Sequence, residues 1–401
     1  MKSLSERIVL FLSIVTMIAA LGAGLITPIF SVYLYENMNF SVLTIGLIYS
    51  IYTIGLAIFP IPFGIFSDKK GRKPTAALGL LGYAISYLLR IFASKPEEFG
   101  ALSALEGLGD SSFKPAAQSA IADEVASDER GSAYGMYNAA AAGGIILGYL
   151  LSGIIVVWFT NFLISFILGG VLSAISLIVL LILMKETLKY NTAANYKINL
   201  QQIFNEKIRR PMFIYLFASS LGNFGVAAIL PILSIFVILQ YNLPLYFVGV
   251  VWFTYMLSSS ISSIPSGKLC DFYSSKNIMG IGLLVTAIAF YLLGTQNTLI
   301  LLLVSCIIFG TGFAMVANSS TAYMMNLTST EIRGRTISVL NVLKMAGGAF
   351  GPIVSGILWE EFAPVYSFLI PAVVIFVAGL FFIITGTSDE EIKKRMIANK
   401  F

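Results

Sequence analysis

The sequence predicts an all-α membrane protein with twelve transmembrane helices in two pseudosymmetric six-helix bundles. Two observations support this fold class. Of the 401 residues, 57% are hydrophobic and only 11% are charged, whereas soluble domains carry about 25% charged residues. A single offset of 203 residues also aligns the first half of the chain with the second half. The composition therefore indicates a membrane protein, and the offset indicates an internal repeat.

Twelve stretches of the chain are long enough to cross a bilayer, because a spanning helix needs about 20 predominantly apolar residues. The predicted spans are 9–34, 43–66, 75–94, 99–122, 133–157, 162–184, 211–239, 245–267, 277–296, 298–325, 334–357 and 364–386. Six spans in each half give both halves the same orientation. This design places a substrate path between the halves, with its site near the middle of the membrane.

The repeat is carried by glycines, prolines and charged loop residues at matching places. The aligned pairs include Gly22 and Gly225, Pro28 and Pro231, Gly46 and Gly249, Asp68 and Asp271, Gly107 and Gly310, Arg130 and Arg333, Gly144 and Gly347, Gly148 and Gly351, and Gly153 and Gly356. Because one register serves residues 22 to 153, chance is a poor explanation for the matches.

The repeat divides the chain into four parts. We expect an N-terminal six-helix bundle at 1–184, a cytoplasmic connection at 185–210, a C-terminal six-helix bundle at 211–386 and a cytoplasmic tail at 387–401. Apolar residues recur at helical spacing inside the connection, at Leu200, Ile203, Phe204 and Ile208. This spacing favours an amphipathic helix on the membrane surface. A flexible linker is the alternative.

Charged residues outside the spans are distributed unevenly. Basic residues gather on one side of the predicted helices, whereas the loops of the opposite side have only Lys95. The positive-inside rule then places both termini in the cytoplasm and predicts a multi-pass protein of the cell membrane. The net charge of +5 belongs to this distribution. We therefore expect the lipid bilayer as a partner and no nucleic acid.

Several function classes are disfavoured by what the sequence lacks. It has no histidine, and its two cysteines, Cys270 and Cys306, provide no disulfide framework and no metal or haem cluster. The phosphate-binding pattern G-x-x-x-x-G-K-[ST] does not occur, so ATP is not expected to drive the protein directly. No nucleophile and base can be assembled into an enzyme site. We therefore expect no cofactor, no metal and no enzymatic activity.

The loop after the second predicted span carries a specific motif. It reads Gly64-Ile-Phe-Ser-Asp68-Lys69-Lys70-Gly71-Arg72-Lys73, which resembles the G-x-x-x-D-R-x-G-R-R signature of the major facilitator superfamily. Together with the repeat, the resemblance covers the whole chain and implies the major facilitator fold. It also implies that Asp68 and Arg72 form a gate latch. The gating residues predicted on this basis are Gly64, Asp68, Gly71, Arg72, Asp271, Arg130 and Arg333.

The residue types of this loop also favour a structural role for it. Gly64 is expected to let neighbouring backbones approach closely. Asp68 is a carboxylate at a helix end near four cations. The alternative to a latch is a basic turn that only sets the orientation of the chain. The second copy keeps Gly267 and Asp271 but loses the basic end of the motif.

The fifth predicted span carries a glycine pattern. It reads Gly135-x8-Gly144-x3-Gly148-Tyr149-x2-Ser152-Gly153 and is similar to the superfamily's antiporter signature, G-x8-G-x3-G-P-x2-G-G, with Tyr149 and Ser152 as departures. The resemblance implies a hinge that favours proton-driven export. The eleventh predicted span repeats the pattern and keeps a proline, at Gly351-Pro352. The hinge residues predicted are Gly135, Gly144, Gly148, Gly153, Gly351 and Pro352. Ordinary packing of small residues between helices is the alternative.

Five ionisable residues lie within predicted spans, and each has an apolar counterpart 203 residues away. They are Arg90, Glu106, Asp110, Lys114 and Lys344. Charges inside a membrane normally face a partner or a cavity, at a cost of roughly 2.5 to 3.5 kcal/mol for an unpaired Arg, Lys or Asp at the midplane. Because they occur once whereas the glycines occur twice, we assign them to chemistry more than to architecture.

Three of these charges share one face of the fourth predicted span, since Glu106, Asp110 and Lys114 are spaced four apart. Two neighbouring carboxylates in a poor solvent cannot both ionise easily. We therefore predict that Asp110 carries the coupled proton and that Glu106 assists. The alternative is two structural ion pairs, Arg90–Glu106 and Asp110–Lys114. Ser103 stands where the family often has an arginine, so coupling roles tied to that arginine do not carry over.

The resemblance implies that the first and fourth helices of each half line the substrate path. The predicted substrate-binding residues are Lys114, Lys344, Asn223, Asn318, Asn341, Tyr52, Tyr255, Thr27 and Gln118. For each polar residue taken singly, a hydrogen bond within its own helix is the alternative role.

The sequence as a whole predicts a secondary active transporter that moves a small molecule by alternating access. We expect proton-coupled efflux of the multidrug type, with a small-molecule substrate and protons as partners and a monomeric chain. One alternative is uptake or exchange of an organic anion that binds Lys114 and Lys344. A membrane receptor or assembly factor is a further alternative, but such proteins usually carry a soluble output domain or a long tail.

Overall fold

The computed structural model describes residues 4–126, 129–188, 206–328 and 333–397, and all regular structure in these ranges is helical. The helices are α1 (Leu4–Glu36), α2 (Val42–Ile58), α3 (Pro60–Lys70), α4 (Arg72–Leu89), α5 (Pro96–Glu124), α6 (Arg130–Phe159), α7 (Leu163–Leu183), α8 (Glu206–Ile229), α9 (Leu233–Tyr241), α10 (Tyr246–Phe272), α11 (Ser275–Thr295), α12 (Leu299–Asn326), α13 (Arg333–Gly348), α14 (Gly351–Glu361), α15 (Tyr366–Thr385) and α16 (Asp389–Ile397). The predicted all-α class is confirmed.

Within the described residues, nine helical segments are long and apolar enough to cross a membrane, and the bent pair α2–α3 makes up to ten. The predicted spans 75–94 and 99–122 correspond to α4 and α5, which are not among these segments. Both carry charged residues, since α4 begins with Arg72 and Lys73 and α5 contains Glu106, Asp110 and Lys114. The total of twelve spans stays a prediction.

Three predicted spans are each formed by two helices instead of one. The span 43–66 bends by 44° between α2 and α3, where Pro60 begins α3. Pro231 lies in the break between α8 and α9, and Pro352 is near the start of α14. Proline removes a backbone donor and its ring disturbs the preceding turn, which explains why the helices end there.

The chain forms two compact units. The first comprises Met1–Ser41, Ile51–Tyr196 and Asn242–Phe253, and the second comprises Val42–Ser50, Lys197–Tyr241 and Thr254–Phe401. In the first unit α1 packs on α6 and α7, and α4 packs on α5 and α7. In the second unit the repeat-related helices pair in the same way: α8 packs on α13 and α15, and α11 packs on α12 and α15. These pairings support the internal repeat.

Close helix contacts recur at glycines in the same register. A Cβ atom on Gly148 would lie under 3.0 Å from the carbonyl oxygen of Leu21, and one on Gly351 would lie equally close to that of Phe224. Gly351 lies 203 residues after Gly148, and Phe224 lies 203 residues after Leu21. The backbones of α1 and α6 in the first unit, and of α8 and α14 in the second, therefore approach too closely for any side chain at these places.

The amphipathic helix predicted within the 185–210 connection lies largely outside the described residues, since 189–205 are not described and the described part of α8 begins at Glu206. The four-part division into two bundles, a connection and a tail stays a prediction.

Candidate functional site

The centre of the first unit contains a carboxylate with three donors. Asp110 on α5 accepts a hydrogen bond of 2.6 Å from the hydroxyl of Tyr52 on α2 and another from the hydroxyl of Tyr83 on α4. It also forms an ion pair with Lys114, one helical turn further along α5. Three helices thus bring their polar groups to one carboxylate. We call Asp110, Lys114, Tyr52 and Tyr83 the aspartate cluster.

A second ion pair lies one turn away on the same face of α5. The guanidinium of Arg90 donates to Glu106 at 2.6 Å, and the hydroxyl of Tyr87 donates to the same carboxylate at 3.1 Å. The charged carbon of Arg90 also lies 4.0 Å from the centre of the Phe30 ring, a cation–π contact that favours a cation shielded from water. Arg90 and Glu106 are therefore held by contacts on several sides.

Arg90 also contacts the position at which this chain departs from the pattern of the superfamily that it resembles. Its guanidinium donates to the Oγ of Ser103 at 3.2 Å, and Ser103 stands where that superfamily often has an arginine. Arg90 is the C-cap residue of α4, so a guanidinium from outside α5 lies beside this position. This contact was not predicted from the sequence.

The two ion pairs differ in their access to solvent. In the Arg90–Glu106 pair the side chains are 1% and 19% exposed. In the Lys114–Asp110 pair the lysine is 53% exposed, although the aspartate is only 11% exposed. The side chain of Lys114 is therefore less enclosed by the protein than that of Arg90. Both pairs match the structural alternative stated for these charges, and the assignment of Asp110 and Glu106 to coupling stays a prediction.

The repeat-related region of the second unit contains aromatic rings in place of these charges. Asp110 aligns with Phe313, and Glu106 aligns with Phe309. Tyr255, the counterpart of Tyr52, stacks on Phe309 with ring centres 4.3 Å apart and an interplanar angle of 20°, and lies 5.9 Å from the Phe313 ring. The same architecture thus carries titratable groups in one unit and an aromatic cluster in the other.

The predicted substrate-binding residues have several different surroundings. Thr27 and Asn223 donate to the carbonyl four residues earlier, at 2.9 and 2.8 Å, and Asn318 donates to the carbonyl of Ser263 at 2.8 Å. The bonds of Thr27 and Asn223 are those of the alternative role, a hydrogen bond within the residue's own helix, whereas the bond of Asn318 runs from α12 to α10. Gln118 is partly buried on α5, and Asn341 is partly buried on α13.

Two of the predicted substrate-binding residues line a cavity in the second unit. The cavity has a volume of about 140 Å³ and is lined by residues of α8, α11, α12 and α13. Asn223 and Lys344 are among these residues. Lys114, the other predicted lysine, is paired with Asp110 in the first unit.

The motif loop after α3 forms a compact polar network. Arg72 pairs with Asp68 and donates to Asp123, at the end of α5, at 3.0 Å. The backbone nitrogens of Arg72 and Lys73 donate to Glu186 at 2.9 and 3.1 Å. Asp123 and Glu186 were not predicted from the sequence. Asp123 directly follows the predicted span 99–122, and Glu186 closely follows the predicted span 162–184. A carboxylate just beyond the apolar part of a span is the signal that could have identified both.

Gly71 is the one motif position at which a positive φ requires glycine. Its φ is +119°, and a Cβ atom there would collide with the carboxylate of Glu186. The expectation for Gly64 was wrong, because no heavy atom of the described residues lies within 4 Å of the place where its Cβ would be. Gly64 lies on α3, and no close backbone contact within the described ranges depends on it.

The remaining predicted gate residues are placed as follows. Arg130 donates to the carbonyl of Ala122 at 2.7 Å and to that of Val125 at 3.2 Å, so it caps the end of α5. Asp271 is exposed near the end of α10. The side chain of Arg333, at the start of α13, lies outside the described residues.

The predicted hinge glycines do not form one uniform stripe. Gly144, Gly148, Gly153 and Gly351 each lie against backbone of another segment at distances that exclude a Cβ, whereas Gly135 faces open space. Pro352 stands at the second position of α14. The contacts are those of close helix packing, and the hinge stays a prediction.

Among the described residues, no group of three metal-ligating side chains occurs.

Comparison with known proteins identifies the family. A family model described as the Major Facilitator Superfamily matches residues 12–254 and 212–398. The chain belongs to the Major Facilitator Superfamily. It is therefore a multi-pass membrane transporter of small molecules and not an enzyme, as the motif resemblance implied.

Superfamily members similar to this chain include proteins named for drug resistance. Multidrug resistance protein 2 of Bacillus subtilis (strain 168) is 25% identical over 368 residues, which cover 90% of this chain and 91% of that protein. Quinolone resistance protein NorA of Staphylococcus aureus (strain COL) is 22% identical over 352 residues, covering 86% and 89%. These relatives support the predicted resemblance to the drug/proton antiporter branch.

Solved structures of the superfamily share the fold. A crystal structure of a variant of the nucleoside transporter NupG superposes with a TM-score of 0.81 at 18% sequence identity, covering 95% of this chain and 100% of that one. At this identity the likeness establishes the major facilitator fold alone.

Proposed function

We propose that the chain is a proton-coupled exporter of small molecules and that the Asp110–Lys114 ion pair is its proton-exchange site. The aspartate cluster carries this proposal, because it joins a largely buried carboxylate to a lysine whose side chain is half-exposed. A proton reaching Asp110 would take over the role of Lys114 as the neutralising charge. Lys114 would then be free to turn away from Asp110.

The hydrogen bonds of Asp110 provide a way to couple protonation to movement. An ionised carboxylate only accepts hydrogen bonds, whereas a protonated one also donates. Asp110 accepts from Tyr52 on α2 and from Tyr83 on α4. When Asp110 binds a proton, its new O–H needs an acceptor, and either tyrosine hydroxyl would supply one by turning. Protonation would thereby change the contacts between three helices of the first unit.

The Arg90–Glu106 pair is assigned a different role. Its arginine is almost fully buried and packs against Phe30, so removing its carboxylate would leave an uncompensated buried charge. Such a loss typically costs about 3 to 5 kcal/mol. We propose that this pair holds α4 against α5, and that Glu106 assists coupling only by keeping Tyr87 and Arg90 in place.

The relatives support the direction and the substrate class. Multidrug resistance protein 2 and NorA are named for resistance, which is typical of export, and they match most of this chain. We accordingly propose lipophilic small molecules as substrates, protons as the coupling ion, and a monomer in the cell membrane with both termini cytoplasmic. The network of Asp68, Arg72 and Asp123 is proposed as the gate latch.

The test is dissipation of a pH gradient in everted membrane vesicles that contain the full chain. A panel of lipophilic cations is added first and organic anions second. We expect cations to discharge the gradient in wild type and not in Asp110→Asn. Glu97→Gln is the matched control, because Glu97 is an exposed carboxylate in the first turn of the same helix. Equal coupling in wild type and Asp110→Asn would exclude the proposed role of Asp110.

Uptake or exchange of an organic anion is the second candidate function. It was predicted with Lys114 and Lys344 as anion ligands, and Lys114 is neutralised by Asp110 in this structure. The observation that favours it is therefore Lys344, which lines the cavity of the second unit. Discharge of the vesicle gradient by anions but not by cations would favour this candidate over export of cations.

A further inference from the structure

The cavity of the second unit combines one cationic side chain with a largely apolar wall. Its volume is about 140 Å³. Its lining residues include Asn223, Leu283, Phe313, Val316, Ala317 and Lys344. A cavity of about 150 Å³ accommodates a benzene molecule, so the space is suited to a single ring or a short alkyl chain.

The amine of Lys344 has no acidic partner among the side chains that the structure describes. None of the ion pairs there includes it, and its side chain is half-buried and lines the cavity. An unpaired charge in a medium of low dielectric is unfavourable. A half-buried cation of this kind is energetically suited to an anion supplied from outside the chain.

The internal repeat shows which group is missing beside this amine. In the first unit, Asp110 and Lys114 neutralise each other on α5. Their counterparts on α12 are Phe313 and Ala317, and both line the cavity. In the second unit the cation instead comes from α13 at position 344. The second unit therefore combines the amine of Lys344 with the ring of Phe313, whereas the first combines the amine of Lys114 with the carboxylate of Asp110.

We propose that this cavity binds the carboxylate of a small monocarboxylic acid with an apolar body, such as an aromatic acid. The ligand would supply the carboxylate that Asp110 supplies in the first unit. Lys344 would form the ion pair, and Leu283, Phe313 and Val316 would contact the hydrocarbon part.

The polar groups of the cavity favour a single carboxylate over a phosphate. Lys344 is the cationic member of the lining, and one ammonium neutralises one carboxylate. Asn223 uses one amide hydrogen on the carbonyl of Ser219, and its amide nitrogen carries a second hydrogen. That hydrogen is available to the second carboxylate oxygen. The proposal depends neither on the direction of transport nor on proton coupling at Asp110.

The experiment is isothermal titration calorimetry of the purified full chain in detergent, with benzoate as the probe and benzamide as its neutral analogue. We expect benzoate to bind and benzamide to bind at least about tenfold more weakly, since a hydrogen bond to a charged group contributes more than a neutral one. Lys344→Met should weaken benzoate binding by roughly 10- to 100-fold for the same reason, and Lys344→Arg should retain most of it.

Three controls keep the result interpretable. Lys268→Met removes an exposed lysine of the same unit and should leave benzoate binding unchanged. Thermal unfolding of Lys344→Met without ligand should occur at the same or higher temperature than in wild type, because an unpaired cation is replaced by an apolar chain. Asp110→Asn should bind benzoate like wild type, which separates this site from the proposed proton site.

The proposal would be overturned by either of two results. One is benzoate binding that Lys344→Met leaves unchanged, and the other is equal affinity of wild type for benzoate and benzamide. A loss of coupled export in Asp110→Asn with intact benzoate binding would support both proposals separately.

Discussion

Lys114 and Asp110 lie one helical turn apart on α5 and form an ion pair in which the lysine side chain is half-exposed and the aspartate side chain is largely buried. This asymmetry means that the two residues contribute unequally to stability. Removing the lysine leaves a buried carboxylate without its cation, whereas removing both charges leaves nothing uncompensated. The difference can be measured as a coupling free energy.

The first prediction follows from this pair. Lys114→Met should lower the free energy of unfolding by roughly 1 to 3 kcal/mol, less than for a fully buried pair because the lysine is half in solvent. Adding Asp110→Asn to Lys114→Met should recover most of the loss. Thermal unfolding of the four proteins in detergent completes the cycle. Additive effects of the two substitutions would show that the ion pair makes no net contribution.

The second prediction concerns the hydroxyl of Tyr83. Tyr83→Phe keeps the ring, which stacks on Tyr87 with centres 5.9 Å apart, and removes one donor to Asp110. We expect proton-coupled transport to slow about tenfold, since one charge-assisted hydrogen bond is lost, while unfolding temperature changes little. Tyr134→Phe is the control, because its hydroxyl bonds a backbone carbonyl outside the cluster. Equal slowing in both variants would argue against a specific role for Tyr83.

The third prediction distinguishes two glycines of the motif loop. Gly71→Ala should destabilise the protein by at least about 1 kcal/mol, because its positive φ disfavours a side chain and because Glu186 occupies the space. Gly64→Ala should be neutral or stabilising by up to about 1 kcal/mol, since the position is helical and open. Thermal unfolding of both variants provides the comparison, and a larger loss for Gly64→Ala would contradict it.

The fourth prediction applies the same logic to the glycines of α6. Gly148→Val should destabilise the first unit by roughly 1 to 3 kcal/mol, because a Cβ there meets the backbone of α1 and overpacking typically costs this much. Gly135→Val lies on the same helix in open space and should be tolerated. Expression level and unfolding temperature are the measurements. Similar losses in the two variants would point to a general effect of valine in this helix.

The fold was largely predictable because composition and repeat are properties that the chain carries throughout its length. The helix breaks were less predictable. Pro28 stays inside the continuous α1, whereas its counterpart Pro231 lies between α8 and α9. Whether a proline interrupts a helix depends on which neighbours can satisfy the freed backbone groups. Those neighbours are known only once the helices are packed.

The candidate site was predictable in its residues but not in its partners. The spacing of Glu106, Asp110 and Lys114 identified a charged face, and both ion pairs had been stated as alternatives. The tyrosines that complete the sites come from α2 and α4, and Tyr83 and Tyr87 carry no charge that would mark them in the sequence. The contact of Arg90 with Ser103 was equally hidden, since thirteen residues and a turn separate them.

The close contacts of Gly148 and Gly351 occur in both units, whereas Asp110 and Lys344 have no counterparts of their own kind. A gene duplication would have begun with two identical copies. Mutations at the glycines would have been removed in either copy, because each copy needs them to fold. The positions of Asp110 and Lys344 were under no such double constraint, so the two copies were free to diverge there, with Phe313 opposite Asp110 and Ala141 opposite Lys344 in the alignment.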